Sequence, residues 1–282
     1  MTNEQKGQVR DALVRYVNGF PTQALAAESL QGISSSTISL VKNHNWELLS
    51  DRLWHHVARQ VGFYCGDWNA ADTSAYLLLR ILFSDAQHYA MTYGIAIGEG
   101  LGKTFAATRY ARENESAHYI SCNEEYNRKS FLAALLHKAG LEARGTVPQM
   151  MEQYAAYLGE QAEPVILIDD AHKLKDRVLH LLVLLANDMA AKAGIVIMGS
   201  EQLRMRIIEG VRLKKVGFDE IYKAIGRRFI TMGSMGAKDV ELVCMANGIY
   251  SDGLIKEIAE QSDNLHTVAR LVQRQIEFRT AA

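Results

Sequence analysis

Apolar residues at Val9, Leu13, Val14 and Val17 recur on one face of a helix with 3.6 residues per turn, which predicts a helix over residues 7–19. Pro21 opens a second helical stretch, Thr22 to Leu30, and Gln31-Gly32 supplies a turn. A third helix follows, with serines at its start and Ile33, Ile38 and Val41 at helical spacing. The segment 47–61 closes a small helical unit, with Trp46 and Trp54 as core residues. From about residue 72 helices alternate with short apolar strands: Gly94–Ile97, His118–Ser121, Val165–Ile168, Ile195–Met198 and Phe229–Met232. The alternation predicts a parallel α/β sheet, and the unbroken runs VILI and IVIM are those of strands covered on both faces. Beyond residue 236 no strand pattern occurs, and three amphipathic helices are expected. The domain boundaries that follow are 1–62 for a helical, helix-turn-helix-like domain, 63–233 for an α/β core and 234–282 for a helical lid.

Composition narrows the partners. With 31 Lys plus Arg against 32 Asp plus Glu and 48% hydrophobic residues, the chain can build a full core, and any nucleic-acid contact must come from a local patch. Cys65, Cys122 and Cys244 are odd in number and lack metal-ligand spacing, so buried reduced thiols are expected. No uncharged apolar run reaches the roughly 18 residues of a membrane span, and the start MTNEQKGQVRDAL is too polar for a signal peptide. A cytoplasmic protein with no membrane partner is the expectation.

The segment Gly94 to Thr104 carries the most chemistry: an apolar strand, the turn Gly98-Glu99-Gly100-Leu101-Gly102, and then Lys103-Thr104 opening a helix. Glycines let backbone N–H groups close around a β-phosphate, and the helix N-terminus adds partial positive charge. Lys103 can reach β/γ oxygens, and Thr104 can ligand magnesium. The strict phosphate-loop pattern has a glycine where Ile97 stands, and Gly98 follows one place later. The strand Val165–Ile168 ends in Asp169 and Asp170. At the carboxyl end of a sheet, Asp169 can hold a magnesium shell through water, and Asp170 can orient or deprotonate an attacking water. Asp170 is one methylene shorter than the glutamate many ATPases carry there, so slow hydrolysis is expected. Ser200 ends another strand, where its hydroxyl can touch a γ-phosphate. Arg227-Arg228 precede the last strand, where an arginine can reach a neighbouring subunit's γ-phosphate.

One basic patch exists. Residues 204–228 hold eight Lys or Arg against three acids, a local charge of +5 in a chain of net charge -1. Arg212, Lys214 and Lys215 are its candidate phosphate contacts, and Arg128-Lys129 is a second, shorter candidate. Neither interleaves aromatics, which favours duplex backbone over single strands. In the helix-turn-helix-like segment, Gly32 and Ile38 have the spacing of a turn glycine and a recognition-helix core residue, leaving Ser36 and Lys42 to face DNA. Residues 1–60 carry only six basic and five acidic groups, so the unit could equally dock a protein.

In order, IGEGLGKT, ILIDDAHKL, IVIMGSEQL and GRRF followed by a helical tail resemble the AAA+ ATPases. The resemblance implies a P-loop NTPase core binding ATP and Mg2+, with Lys103 and Thr104 as Walker A, Asp169 and Asp170 as Walker B, and Ser200 as sensor 1. It makes Arg228 or Arg227 the arginine finger and Arg270 the sensor-2 candidate. Residues 24–46, residues 68–87 and IDDAHKL are further similar to the transposition ATPases of the phage Mu type. That likeness implies an ATP-dependent homo-oligomer or helical filament that coats double-stranded DNA with little sequence preference and activates a transposase. A replication initiator or helicase loader, or an ATP-gated DNA-binding regulator, remains the alternative.

Overall fold

The computed structural model describes residues 3–61 and 68–281, so Cys65 and the expected boundary after residue 62 lie outside the described residues. Two compact units form: Met1–Trp68 with Lys129–Tyr154, and Asn69–Arg128 with Ala155–Ala282.

The first unit begins with α1 (Asn3–Asn18), α2 (Gln23–Glu28), α3 (Ser35–Lys42) and α4 (Asp51–Gln60), with a single 3-10 turn at Trp46–Leu48. Capping sets the short helices. The Thr22 hydroxyl accepts from the Leu25 N–H, and the Ser34 hydroxyl accepts from the Thr37 N–H. Gly32 makes the turn between α2 and α3 at a φ of +69°. Gln23 then fixes the two helices together, its Nε2 donating to Ser35 O and Ser39 Oγ at 2.8 Å each. Val9, Leu13, Ile38, Val41, Trp54 and Val57 are fully buried between the helices. Trp46 meets Trp54 edge to face at 5.5 Å.

The second unit opens with α5 (Ser74–Tyr89), β1 (Thr92–Ile97), α6 (Lys103–Glu113) and β2 (Ala117–Ser121). Most of α7 (Arg128–Lys138) and α8 (Val147–Gly159) groups with the first unit, where Lys138 lies over the Tyr16 ring. The second unit resumes with β3 (Val165–Asp169), α9 (Asp176–Asp188), β4 (Gly194–Gly199), α10 (Glu201–Arg212), α11 (Phe218–Ala224) and β5 (Phe229–Met232). The helices α12 (Ala237–Ala246), α13 (Asp252–Glu260) and α14 (Leu265–Ala281) complete it.

The five strands form one parallel sheet in the order β2-β3-β4-β1-β5. Every residue of β3 and β4 is buried, as continuous apolar runs require. Leu79 and Phe83 of α5 and Ala106 and Ala107 of α6 join Ile95, Ile97, Leu167, Val196 and Met198 in one core. The C-terminal helices are tied back to the start of this unit. Asn247 Oδ1 accepts from the Asn69 N–H at 3.0 Å, and Asp239 Oδ1 accepts from the Ser74 N–H at 2.8 Å. Among the described residues no helix is long and apolar enough to cross a membrane, and Cys122 and Cys244 are buried and free.

Candidate functional site

The order of strands decides what meets. β4 lies between β1 and β3, so the carboxyl ends of three adjacent strands bring the glycine turn, Ser200 and the Asp169-Asp170 pair to one rim of the sheet. This is where ligands sit in open α/β folds.

Between β1 and α6, Gly100 and Gly102 take φ values of +72° and +84°. Residues with side chains avoid that region, and it is the geometry that winds backbone N–H groups into an anion-binding nest. Gly100 has a second reason to lack a side chain, since a Cβ there would stand 2.6 Å from Asn264 Cβ. The Leu265 N–H donates to Gly100 O at 2.8 Å, which latches the start of α14 onto the loop.

Lys103 is 8% exposed, and its Nζ donates to Ile97 O and Gly98 O at 2.7 Å each. Burial pulls its pKa down, while the charges of Asp169, Asp170 and Glu99 oppose that shift. Asp169 is fully buried. Its Oδ2 accepts from the Thr104 hydroxyl at 2.6 Å and from the Tyr119 hydroxyl at 3.3 Å, and its Oδ1 accepts from the Asp170 N–H at 2.9 Å. Burial raises the Asp169 pKa, and the Thr104 hydrogen bond counters most directly. A buried ammonium and a buried carboxylate thus line one rim, each lacking the solvation its charge demands. A triphosphate with a divalent cation supplies both missing counter-charges.

Asp170 turns sharply after the strand at a φ of +56°, and its Oδ2 lies 2.7 Å from Lys173 Nζ. Ser200 is 6% exposed, and its hydroxyl has no hydrogen-bond partner among the described residues. Leaving a buried hydroxyl unpaired costs about 1–3 kcal/mol, a cost that a ligand oxygen would remove. His172 Nδ1, two residues beyond Asp170, is a second buried polar atom without a partner among the described residues. The donors and acceptors present therefore fit ATP, with Thr104 and Asp169 as the residues able to hold a magnesium ion.

Other expected site residues lie elsewhere. The register pairs Gly94 with Phe229, so Arg228 stands level with Tyr93 at the amino end of β1. Four residues of strand, about 13 Å, separate that level from the end of β1, so neither Arg227 nor Arg228 serves its own chain's loop from the strand start. Arg227 pairs with Asp219 at 3.3 Å, whereas Arg228 is exposed and makes no ion pair among the described residues. Arg270 is exposed on α14, beyond the Leu265 latch. Arg128 and Lys129 are exposed at the start of α7. Ser36 is exposed and bonded to the Ser34 hydroxyl, and Lys42 is half-buried in the last turn of α3.

The basic stripe is weaker than its sequence count. Arg204 pairs with Glu201, Arg206 with Asp176, Arg212 with Glu209, and Lys223 with Asp219. Glu201 and Asp176 lie outside residues 204–228, so the linear count omits them. Lys214 remains exposed at a φ of +53°, and Lys215 lies 6.0 Å from the Phe218 ring centroid. Sequence reasoning missed Tyr119, Asn264 and Leu265. For Tyr119 the signal lies in the β2–β3 register, which the sequence does not give, and for the latch there was none.

Residues 92–207 match the family described as AAA domain. Among solved structures, the Thermotoga maritima RuvB Holliday junction branch migration motor aligns with 73% of this chain and 62% of that one, at 16% identity and a TM-score of 0.48. A DNA replication initiation factor aligns with 73% of this chain and 60% of that one, at 14% identity and a TM-score of 0.45. The chain therefore spans less than two thirds of the length of either structure. No curated protein matches it. The glycine loop, the acidic strand end and the intervening Ser200 strand all lie inside that match, so residues 92–207 carry an AAA domain with the P-loop NTPase fold.

Proposed function

We propose that this protein is an ATP-dependent, DNA-acting ATPase in which nucleotide occupancy governs assembly on double-stranded DNA. The observation that carries the nucleotide half is the meeting of Thr104 and Asp169 at 2.6 Å beside the buried Lys103 amine. In this reading the nest at residues 98–102, with Glu99 and Leu101 between its glycines, wraps the β-phosphate, and Lys103 neutralises the β/γ oxygens. Magnesium, held by Thr104 and through water by Asp169, would supply charge neutralisation on the transferred phosphoryl group. Asp170 orients or deprotonates the water, and the Ser200 hydroxyl donates to the γ-phosphate. Arg228, or its neighbour Arg227, acts on the γ-phosphate of an adjacent copy, because each lies at the wrong end of the sheet for its own. Hydrolysis is then slow in the isolated chain and stimulated by assembly. Arg270 on α14 is the candidate for a phosphate contact from the lid.

The DNA half rests on Lys214 and Lys215, which with Arg228 are the members of the basic stripe free of ion pairs among the described residues, with Arg212, Arg128 and Lys129 as neighbours in role. At the finer level the sequence resemblance supports a transposition ATPase that captures target DNA and activates a transposase. A second reading, a replication initiator, helicase loader or ATP-gated regulator, is favoured by the N-terminal unit. Its Gln23-braced α2–turn–α3 arrangement leaves Ser36 on the outside, where a specific duplex site would be read.

Electron microscopy and filter binding on duplex DNA, with and without ATP, separate these. Sequence-indifferent filaments that need ATP support the transposition reading, and one tight specific site supports the second. Loss of ATP dependence altogether contradicts both. Replacing Lys214 and Lys215 together with alanine is expected to weaken binding evenly across sequences and to flatten the salt slope by about one per lysine. An unchanged slope places the DNA track elsewhere.

A further inference from the structure

We propose that Tyr119 is a positioning residue for the metal–nucleotide site, its hydroxyl locking the Asp169 carboxylate in the orientation that meets magnesium. The inference rests on the ATPase reading above and adds a residue that no phosphate-loop or acidic-strand pattern contains.

The placement follows from strand geometry. β2 and β3 run parallel, with Tyr119 beside Leu167 and Ser121 beside Asp169. Side chains alternate along a strand, so Tyr119, Leu167 and Asp169 share a face. The phenol, one position short of the register partner of Asp169 on that face, has the length to bring its hydroxyl to the carboxylate. Its ring packs against the sheet core, work that a phenylalanine would do as well. The hydroxyl is the part that packing does not explain, and it ends 3.3 Å from Asp169 Oδ2.

The second donor on that oxygen matters because of what Thr104 must do. A threonine hydroxyl has one hydrogen, which here goes to Asp169 Oδ2 at 2.6 Å, and its oxygen lone pairs are left to face a metal. Once that oxygen is drawn toward a cation, the geometry of its hydrogen bond shifts with it. A carboxylate turns readily about its terminal torsion, which is broad and roughly two-fold. The Asp170 N–H fixes Oδ1, and Tyr119, anchored in a strand rather than at the loop-helix junction, fixes Oδ2 independently of Thr104. Asp169 therefore stays aligned while Thr104 adjusts.

Tyr119→Phe isolates the hydroxyl, since the ring and its packing remain. The full chain and the variant are titrated with a fluorescent ATP analogue, first in EDTA and then at fixed analogue with increasing magnesium. The expected result is unchanged analogue affinity in EDTA, an unchanged melting temperature, and a magnesium half-saturation raised about three- to tenfold, as loss of one long hydrogen bond to a charged acceptor implies. Equal magnesium half-saturation in both proteins overturns the proposal. So does a loss of affinity that is the same in EDTA and in magnesium, which marks a purely structural role. If the unmodified chain binds no analogue under either condition, the ATPase reading itself fails and this inference falls with it.

Discussion

Replacing Lys103 with alanine is expected to lower ATP affinity at least about a hundredfold and to remove ATP-dependent DNA binding in the same step, the loss of a buried charge–phosphate contact being worth roughly 3 kcal/mol or more. The side chain is almost wholly buried and its amine is held by two carbonyls at the base of the loop. Its charge is thus already desolvated before a phosphate arrives, and it contributes more there than a lysine in water could. Alanine removes that charge and leaves Asp169, Asp170 and Glu99 facing an anionic ligand without the cation that balances them. Fluorescence titration with an ATP analogue and a gel shift on duplex DNA read the two losses side by side. A variant that still coats DNA in an ATP-dependent manner would show that the loop does not gate assembly.

Replacing Asp170 with asparagine should give the opposite separation: ATP and DNA binding kept, hydrolysis lowered by about two to four orders of magnitude, as loss of a positioned general base implies. Asparagine suits the position because it tolerates the left-handed φ of +56° that this residue adopts. The lost ion pair with Lys173 is partly exposed on both sides and contributes little to stability. What remains affected is the handling of water at the strand end. The ATP-bound form then persists, and complexes with DNA should outlive those of the unmodified chain in a chase with competitor duplex. Phosphate release at an unchanged rate takes Asp170 out of the water-activating role.

The parts of this site that could be read from the sequence share a property: each is local in the chain. The strand–turn–helix around Gly100, the acids closing Val165–Ile168 and the hydroxyl after Ile195–Met198 are short segments whose pattern implies their geometry. Parallel pairing then converged them, since runs as apolar as VILI and IVIM are stable only in the middle of a covered sheet. What escaped depends on residues distant in sequence. Asp176 and Glu201 discharge Arg206 and Arg204 from outside the basic segment, so a window count exaggerated the stripe. The Leu265–Gly100 latch joins positions 165 apart and leaves no periodic trace. Tyr119 was hidden differently: it fits a core strand, and only the β2–β3 register shows which face it shares with Asp169. The grouping of most of α7 and α8 with the N-terminal helices is likewise set by packing between residues distant in sequence.

The central claim is that the turn at Gly98–Thr104, with Asp169 behind it, binds a nucleoside triphosphate. Isothermal titration calorimetry of the folded chain with a non-hydrolysable ATP analogue and magnesium tests it most directly. The expected result is saturable heat at a single site per chain, diminished without magnesium and absent in Lys103→Ala. No heat of binding from well-folded, magnesium-supplied protein would contradict the account at its base.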